Sequence, residues 1–239
     1  PMTYPLTIHC SSAVGRSSAC HAAAVASSPA APRISPPVLV DLQPVEAPTV
    51  AGDLDGALVD DVDLTGTVLR DVTWRESRLT RVTLDDVDLR GARLLDLLIE
   101  SASGTAFSAP ASTWRDVELR SSRFGGAELY DCSWTSVVLR GCKISYLNLR
   151  AATLADVLIE DCTIDELDLH GATCQRVAVV DGRIGELTVT GASLSDVDLR
   201  RTQIERISSA SALAGATISL EQLLDLAPQL ARELGITTA

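Results

Sequence analysis

The sequence predicts an all-β solenoid in which short extended segments stack on copies of themselves. From Leu54 to Ile204, every fifth side chain is hydrophobic except Gly104. Small or β-branched residues recur two positions before these, as in the segment VDLRG at 87–91. Five residues are too few for a helix pair or for a strand with its own hairpin. Each unit must therefore be a short strand and a corner, whose hydrophobic side is buried by stacking.

Polar and small residues fill the remaining positions of each unit. They are Asp, Arg, Thr, Ser and Gly, as in the segment VDLRR at 197–201. A surface of this kind faces water, so the two hydrophobic columns must point into a narrow interior.

The five-residue unit resembles that of the pentapeptide-repeat family. That unit is a small residue, Asp or Asn, Leu or Phe, and then two polar or small residues. The segments VDLTG at 62–66 and LDLHG at 167–171 match it closely. The resemblance implies a right-handed quadrilateral parallel β-helix over residues 51–218, with four units, or twenty residues, in each coil. Residues twenty apart then stack about 4.8 Å from one another.

Residues 103–113 interrupt the pattern. Gly104 stands where a central hydrophobic residue is expected, and Pro110 has no N–H to donate to a strand ladder. Trp114 returns in register, so two interpretations stay open: two degenerate sides continue the coil, or a loop leaves it. Pro110 favours the loop, and an exposed loop is a common place for function.

The first part of the chain differs in composition from the repeats. Residues 1–50 are rich in Ala, Ser and Pro, which predicts a disordered arm.

The last part changes period and predicts short helices over residues 219–235. Ser219 and Gln222 form a capping box, Pro228 is expected to break the helix into two pieces, and Gly235 ends it. The apolar residues of this segment are Leu220, Leu223, Leu224, Leu230 and Leu234. They are predicted to cover the last coil as a cap. The family resemblance implies that such helices also form a homodimer interface, and a cap with or without the dimer fits the sequence equally well.

Composition argues against several classes of function. The formal net charge of −12 disfavours direct binding to nucleic-acid phosphates or to an anionic membrane. No apolar run approaches the ~18 residues of a membrane span. The three histidines lie in no catalytic pattern, and no phosphate loop, nucleophile elbow or metal motif occurs. We therefore predict a soluble, cytoplasmic protein that is not an enzyme, needs no cofactor or metal, and keeps its inward cysteines as free thiols.

A coil of twenty residues sorts the surface into columns, one of which is mostly acidic. We name this column the acidic ladder. Its members are Glu76, Asp96, Asp116, Asp156 and Asp196, and Ser136 and Arg176 interrupt it. Like charges about 5 Å apart destabilise a sheet unless they are well solvated. The ladder therefore indicates a partner-binding surface, although the neighbouring Arg75 and Arg115 could simply neutralise it.

Two functions fit these features. The first is a non-catalytic protein-interaction scaffold built on a rigid acidic rod, with another protein as partner. The second follows from the family resemblance: a DNA mimic that binds DNA gyrase or another type II topoisomerase, and inhibits it or protects it from quinolones. The bases scattered along the rod argue against the mimic, because a DNA duplex carries no positive charge. We favour the scaffold and keep the topoisomerase binder as the alternative.

Overall fold

A computed structural model describes residues 28–45 and 52–237 as an all-parallel β-solenoid of about 8 turns with one C-terminal helix. The strands are β1 (Gln43–Pro44), β2 (Leu54–Asp55), β3 (Ala57–Asp60), β4 (Thr73–Thr80), β5 (Val87–Asp88), β6 (Arg93–Glu100), β7 (Ser103–Ser108), β8 (Thr113–Arg120), β9 (Arg123–Glu128), β10 (Ser133–Arg140), β11 (Lys143–Asn148), β12 (Thr153–Glu160), β13 (Thr163–Asp168), β14 (Thr173–Thr188), β15 (Ser193–Ile207) and β16 (Ala216–Thr217). A 3-10 helix at Ala210–Leu213 and the helix α1 (Leu220–Glu233) complete the described elements.

The strands stack with an offset of twenty residues. Ser133 of β10 pairs with Thr113 of β8 below it and with Thr153 of β12 above it. On another side of the coil, Leu147 of β11 pairs with its counterparts in β9 and β13. The coil length implied by the repeat is confirmed.

The central residue of the repeat fills the interior. Leu79, Leu129 and Leu139 are almost completely buried, and the rings of Trp114 and Trp134 stack with their centroids 5.2 Å apart. Four cysteines, Cys132, Cys142, Cys162 and Cys174, are also buried and are not in disulfides. Burial raises the pKa of the Cys132 and Cys174 thiols to about 12, so both stay neutral. They act as small hydrophobic side chains in the core.

The corners between strands use left-handed backbone. Asp131 has a φ of 58°, and Gly171, two coils further along the same column, has a φ of 67°. Asp and Gly tolerate this conformation better than β-branched residues do. The repeat therefore places small or acidic residues at corners for a conformational reason as well as for solubility.

Residues 103–113 continue the coil, as the first of the two interpretations has it, and the loop that Pro110 favoured is wrong. β7 pairs with β5 on one side and with β9 on the other. Gly104 lies in register with Phe124, whose ring centroid is 4.7 Å from that of Phe107. A Cβ at Gly104 would lie 3.1 Å from the carbonyl carbon and oxygen of Leu84, and the two buried aromatic rings supply hydrophobic volume in the neighbouring part of the interior.

Pro110 is compatible with the coil because its position needs no ladder donor. At the equivalent corner positions, Arg90, Arg150 and His170 donate their backbone N–H to the side chain two residues earlier. The carbonyl of Pro110 still accepts a hydrogen bond of 3.0 Å from the Gly91 N–H. The missing N–H thus removes no bond between coils.

The helix α1 is continuous, so the predicted break at Pro228 is wrong. It begins with the expected capping box between Ser219 and Gln222, and Gly235 beyond its end has a φ of 70°. The Gln222 amide donates to two carbonyls of the last coil, and the Gln229 amide donates to the carbonyl of Ile207. These contacts hold both halves of α1 on the coil and offset the backbone hydrogen bond that proline removes. Within the described residues, no helix has both the length and the hydropathy to cross a membrane.

Residues 28–45, which we name the strap, differ from the expected disordered arm. They run extended along one side of the rod, and β1 at the end of the strap pairs in parallel with β3. The rest of the arm and its junction with the repeats, residues 1–27 and 46–51, lie outside the described residues. The strap stays in place because the rod supplies side-chain acceptors for its backbone, which composition alone does not reveal.

Substitutions at two adjacent glycines test how closely the backbones of neighbouring coils approach each other. A Cβ at Gly125 would lie 2.4 Å from the carbonyl oxygen of Thr105 in the coil below, whereas one at Gly126 would lie 3.8 Å from the Ala106 Cβ. We expect Gly125→Ala to lower the free energy of unfolding by about 1–3 kcal/mol, because the backbone of a neighbouring coil must shift. Gly126→Ala should change it by less than about 0.5 kcal/mol. Urea denaturation of both variants measures the difference, and equal stabilities would contradict this packing.

Candidate interaction surfaces

The acidic ladder forms a single corner column. All seven positions have left-handed backbone, with φ of 46° at Glu76, 52° at Asp96, 54° at Asp116, 57° at Ser136, 58° at Asp156, 52° at Arg176 and 53° at Asp196. Strand registers on either side of Ser136 and Asp156 place these two residues directly above one another. The column expected from the twenty-residue period is therefore present.

The strap lies on the acidic ladder. The backbone N–H of Ala30 donates to Asp196 Oδ1 at 3.0 Å, and that of Arg33 donates to Asp156 Oδ1 at 2.9 Å. Further along, the Ser35 N–H donates to Ser136 Oγ at 2.8 Å, and the Ser136 hydroxyl is 3.2 Å from the Ser35 carbonyl oxygen. A longer contact of 3.4 Å joins the Val38 N–H to Asp96 Oδ1. The ladder binds backbone of its own chain.

The spacing of the first two contacts matches the rise of an extended chain and that of the coils. Three residues of strap, from Ala30 to Arg33, span the two coils between Asp196 and Asp156. A polyproline II chain advances about 9.3 Å in three residues, and two coils advance about 9.6 Å. The prolines of the strap favour this extended conformation, and the four backbone N–H groups that contact the ladder are three, two and three residues apart.

Asp156 is the best-connected member of the ladder. Its carboxylate accepts two hydrogen bonds from the Arg176 guanidinium, at 2.6 and 2.7 Å, besides the one from the Arg33 N–H. The Arg176 guanidinium, and then the Arg33 N–H, lower the pKa of Asp156, although burial opposes them. Arg176 does not interrupt the ladder but serves as its counter-ion.

Two ladder residues are less engaged. The Asp116 carboxylate lies 3.9 Å from the Arg115 guanidinium, which is a weak ion pair. Glu76 is exposed and makes no hydrogen bond or ion pair within the described residues. The strap therefore donates hydrogen bonds to some of the ladder residues, and the carboxylates of these two residues accept none from it.

Another side of the rod carries alternating charges. Its members are Arg78, Glu100, Arg120, Glu118, Arg140 and Glu160, joined by ion pairs of 2.5 to 3.9 Å. Glu118 is buried, and the other members are partly exposed. Ion pairs between exposed side chains contribute modestly to stability. Their main consequence is electrostatic, because this surface alternates in sign where a DNA duplex would be uniformly negative.

Helix α1 presents a second candidate surface. Four of the five leucines expected in the cap or dimer interface point away from the coil, with exposed fractions of 72% for Leu220, 43% for Leu223, 65% for Leu224 and 70% for Leu234. Leu230 is half-buried. The four exposed leucines do not cover the last coil, and their part in a dimer stays a prediction.

The cap is made by residues that the hydrophobic pattern did not single out. Leu226 packs against the core, while Gln222 and Gln229 donate to carbonyls of the last coil. The Glu233 carboxylate accepts from the N–H groups of Ala210 and Ser211, and these bonds with that from Gln229 lower its pKa to about 2. The polar residues of this segment were the sequence feature that could have predicted the cap, because an open solenoid end needs hydrogen-bonding partners as well as apolar cover.

Other chemistry-bearing residues are dispersed. In the described part of the chain, no three His, Cys, Asp or Glu side chains come together as a metal site would require. His170 occupies a corner and donates its backbone N–H to Asp168. A polar cleft of about 340 Å³ lies between α1 and the last coil, but Arg200 at its edge is paired with Asp198.

Comparison with known proteins agrees with the repeat geometry. The family model described as pentapeptide repeats (8 copies) matches residues 60–94. This segment of the chain is therefore similar to pentapeptide repeats. No curated protein matches the chain.

Among solved structures, the chain is similar to full-length QnrB1, a plasmid-mediated fluoroquinolone resistance protein, with 14% identity, a TM-score of 0.35, and coverage of 81% of this chain and 96% of that one. It is also similar to HetL, a pentapeptide repeat protein involved in heterocyst differentiation regulation from the cyanobacterium Nostoc sp. strain PCC 7120. That match has 17% identity, a TM-score of 0.22, and coverage of 70% of this chain and 90% of HetL. Likeness at this level does not transfer a partner to the present chain.

Asp156 and Asp116 allow a matched test of the contacts made by the ladder. Both have left-handed backbone that asparagine also tolerates, but only Asp156 accepts hydrogen bonds from the Arg176 guanidinium and from a strap N–H. At pH 7, Asp156→Asn should lower the free energy of unfolding by about 1–3 kcal/mol, since it weakens charge-assisted hydrogen bonds. Asp116→Asn should have little effect.

The same pair of variants has a defined pH dependence. The pKa of Asp156 is lowered in the fold, so its carboxylate stabilises the native state above the unfolded-state pKa of about 3.9 and loses this effect as pH falls through the lower folded-state pKa. Urea denaturation at pH 7 and near pH 2 should therefore show a gap between the variants that narrows in acid. A gap independent of pH would contradict the assignment.

Proposed function

We propose that this protein is a non-catalytic interaction scaffold that associates with a second copy of itself through α1. The supporting observation is the row of exposed leucines on α1, beside a rod whose leucines are buried. A contiguous exposed apolar surface on a folded protein usually marks a contact with another molecule. The stacked coils supply a rigid frame on which such a contact is held at a fixed position.

The charges that flank the leucines favour a second copy as the partner. Glu221 lies in the first turn of α1 and Arg232 in the last turn. Helical geometry places both on the same flank of the apolar stripe, at similar distances from Ala227. In an antiparallel two-fold pair centred on Ala227, each Glu221 approaches the Arg232 of the other copy, as an isologous interface requires.

This arrangement predicts the effect of substitutions on the oligomeric state. Leu220→Asp with Leu224→Asp should convert a dimer to a monomer at micromolar concentration, because buried unpaired carboxylates oppose association. Sedimentation equilibrium of the full chain measures the change. Both leucines are exposed in the single chain, so circular dichroism should show an unchanged fold.

Charge reversal provides the matched control. Glu221→Lys or Arg232→Glu alone should weaken the dimer, and the double variant should restore it, since the swapped pair is again complementary. A monomeric parent at all accessible concentrations, or a double variant weaker than either single one, would contradict the two-fold pairing.

The second candidate is a binder of DNA gyrase or another type II topoisomerase that mimics DNA. A net charge of −12 on a rod supports it. The alternating ion pairs and the strap over the acidic ladder weigh against it, because they remove the continuous negative surface that a mimic needs.

A gyrase supercoiling assay separates the two candidates. For a scaffold without this activity, we expect the purified full chain to leave supercoiling unchanged, with or without a quinolone, even at low salt. Inhibition or quinolone protection by the parent, lost when Asp96, Asp116 and Asp156 are replaced by Lys, would overturn this expectation and favour the mimic.

A further inference from the structure

The strap contacts define a surface that recognises extended polypeptide. The ladder residues accept hydrogen bonds from the backbone N–H groups of Ala30, Arg33 and Ser35, not from their side chains. Backbone recognition depends on the extended conformation and on where the N–H groups fall, and only weakly on sequence. Any segment with polyproline II spacing presents N–H groups at the same intervals.

The strap is held less firmly than the coils. No residue of 28–45 is fully buried, and only β1 at its end takes part in strand pairing. Segments with little burial and few backbone ladders open at a small fraction of the global unfolding free energy. The strap can therefore leave the ladder while the solenoid stays folded.

The charge of the ladder indicates which segment fits best. The strap carries one base, Arg33, and one acid, Asp41, among its described residues. On the same column, the carboxylates of Asp116 and Glu76 accept no hydrogen bond from the strap. An extended segment with more basic side chains gains electrostatic attraction that the strap does not provide.

We propose that the acidic ladder is a docking groove for a basic, proline-containing extended segment of a partner protein, and that the strap is an intramolecular competitor occupying this groove. The inference rests on the proposed scaffold function and adds the site and the chemistry of its partner. A second copy's strap would only repeat the present contacts, so a basic segment is the better occupant. Since the strap is tethered, its effective concentration is of millimolar order, and a partner must exceed it.

Release of the strap can be tested in the full chain. Ala30→Pro, Arg33→Pro and Ser35→Pro together remove three N–H donors while favouring the same extended conformation. The control carries Ala31→Pro and Val40→Pro, both exposed positions whose N–H makes no bond within the described residues. Neither set alters the coils.

Two fluorescent peptides serve as probes in polarisation measurements. One has the sequence of residues 28–42, and the other has Arg in place of Ser28, Ala31 and Val40. We expect the released variant to bind the arginine peptide at least tenfold more tightly than the parent or the control does. At low salt, the arginine peptide should bind it more tightly than the strap peptide, and the difference should shrink as salt is raised.

Substitution of Ser136 tests whether the peptide binds on the ladder. Ser136→Ala, made in the released variant, removes a hydroxyl that contacts Ser35, and alanine already occupies equivalent corners at Ala111 and Ala151 with φ of 55° and 54°. It should weaken peptide binding several-fold.

Each contrary result overturns a specific part of the proposal. No peptide binding to the released variant, or binding unaffected by Ser136→Ala, overturns the groove. Equal binding by parent and released variant overturns the competition, and a strap peptide that binds as well as the arginine peptide overturns the basic partner and favours a second copy. Dimerisation through α1 is measured independently by sedimentation, so failure here is distinguishable from failure of the scaffold.

Discussion

The constant register of stacked coils is the constraint on which the rest of the structure depends. In the strands of the central coils, residues pair with those twenty positions away, as Ser133 does with Thr113 and Thr153, so one sequence pattern is repeated from coil to coil. Buried leucines hold the levels together, and backbone hydrogen bonds fix their alignment. Columns of surface side chains are a consequence of this alignment, and any surface function has to be built from such columns.

The period made the coil, the buried column and the ladder predictable, because each follows from counting residues. What counting missed was compensation between neighbours. Gly104 lacks a side chain, but Phe107 and Phe124 fill the interior beside it, and Pro110 sits where no ladder donor is used. Pro228 likewise lies inside α1, since contacts to the last coil hold the helix on both sides of it. These outcomes depend on packing between distant residues, which a one-dimensional pattern does not contain.

The candidate surfaces were predictable only in part, for a similar reason. The sequence identified the carboxylates of the ladder but not their ligand, because the composition of residues 28–45 is that of a disordered segment. Those residues become ordered where a complementary row of acceptors exists, at Asp196, Asp156 and Ser136. On α1, the hydrophobic stripe predicted leucines in the cap, but the open coil end is satisfied by the amides of Gln222 and Gln229 and the carboxylate of Glu233. The leucines are consequently free for another contact.

The two candidate surfaces are thus consequences of how a solenoid ends and turns. An open end must satisfy backbone groups, so α1 directs its amides inward and its leucines outward. A left-handed corner favours short polar residues, so acids accumulate in a column and repel one another unless something neutralises them. In this protein Arg176 and the strap perform that task, through a guanidinium and a row of backbone N–H groups. A column that already binds extended chain in this way has the acceptor spacing that an external segment needs, and the tether of the strap sets the affinity which that segment has to exceed.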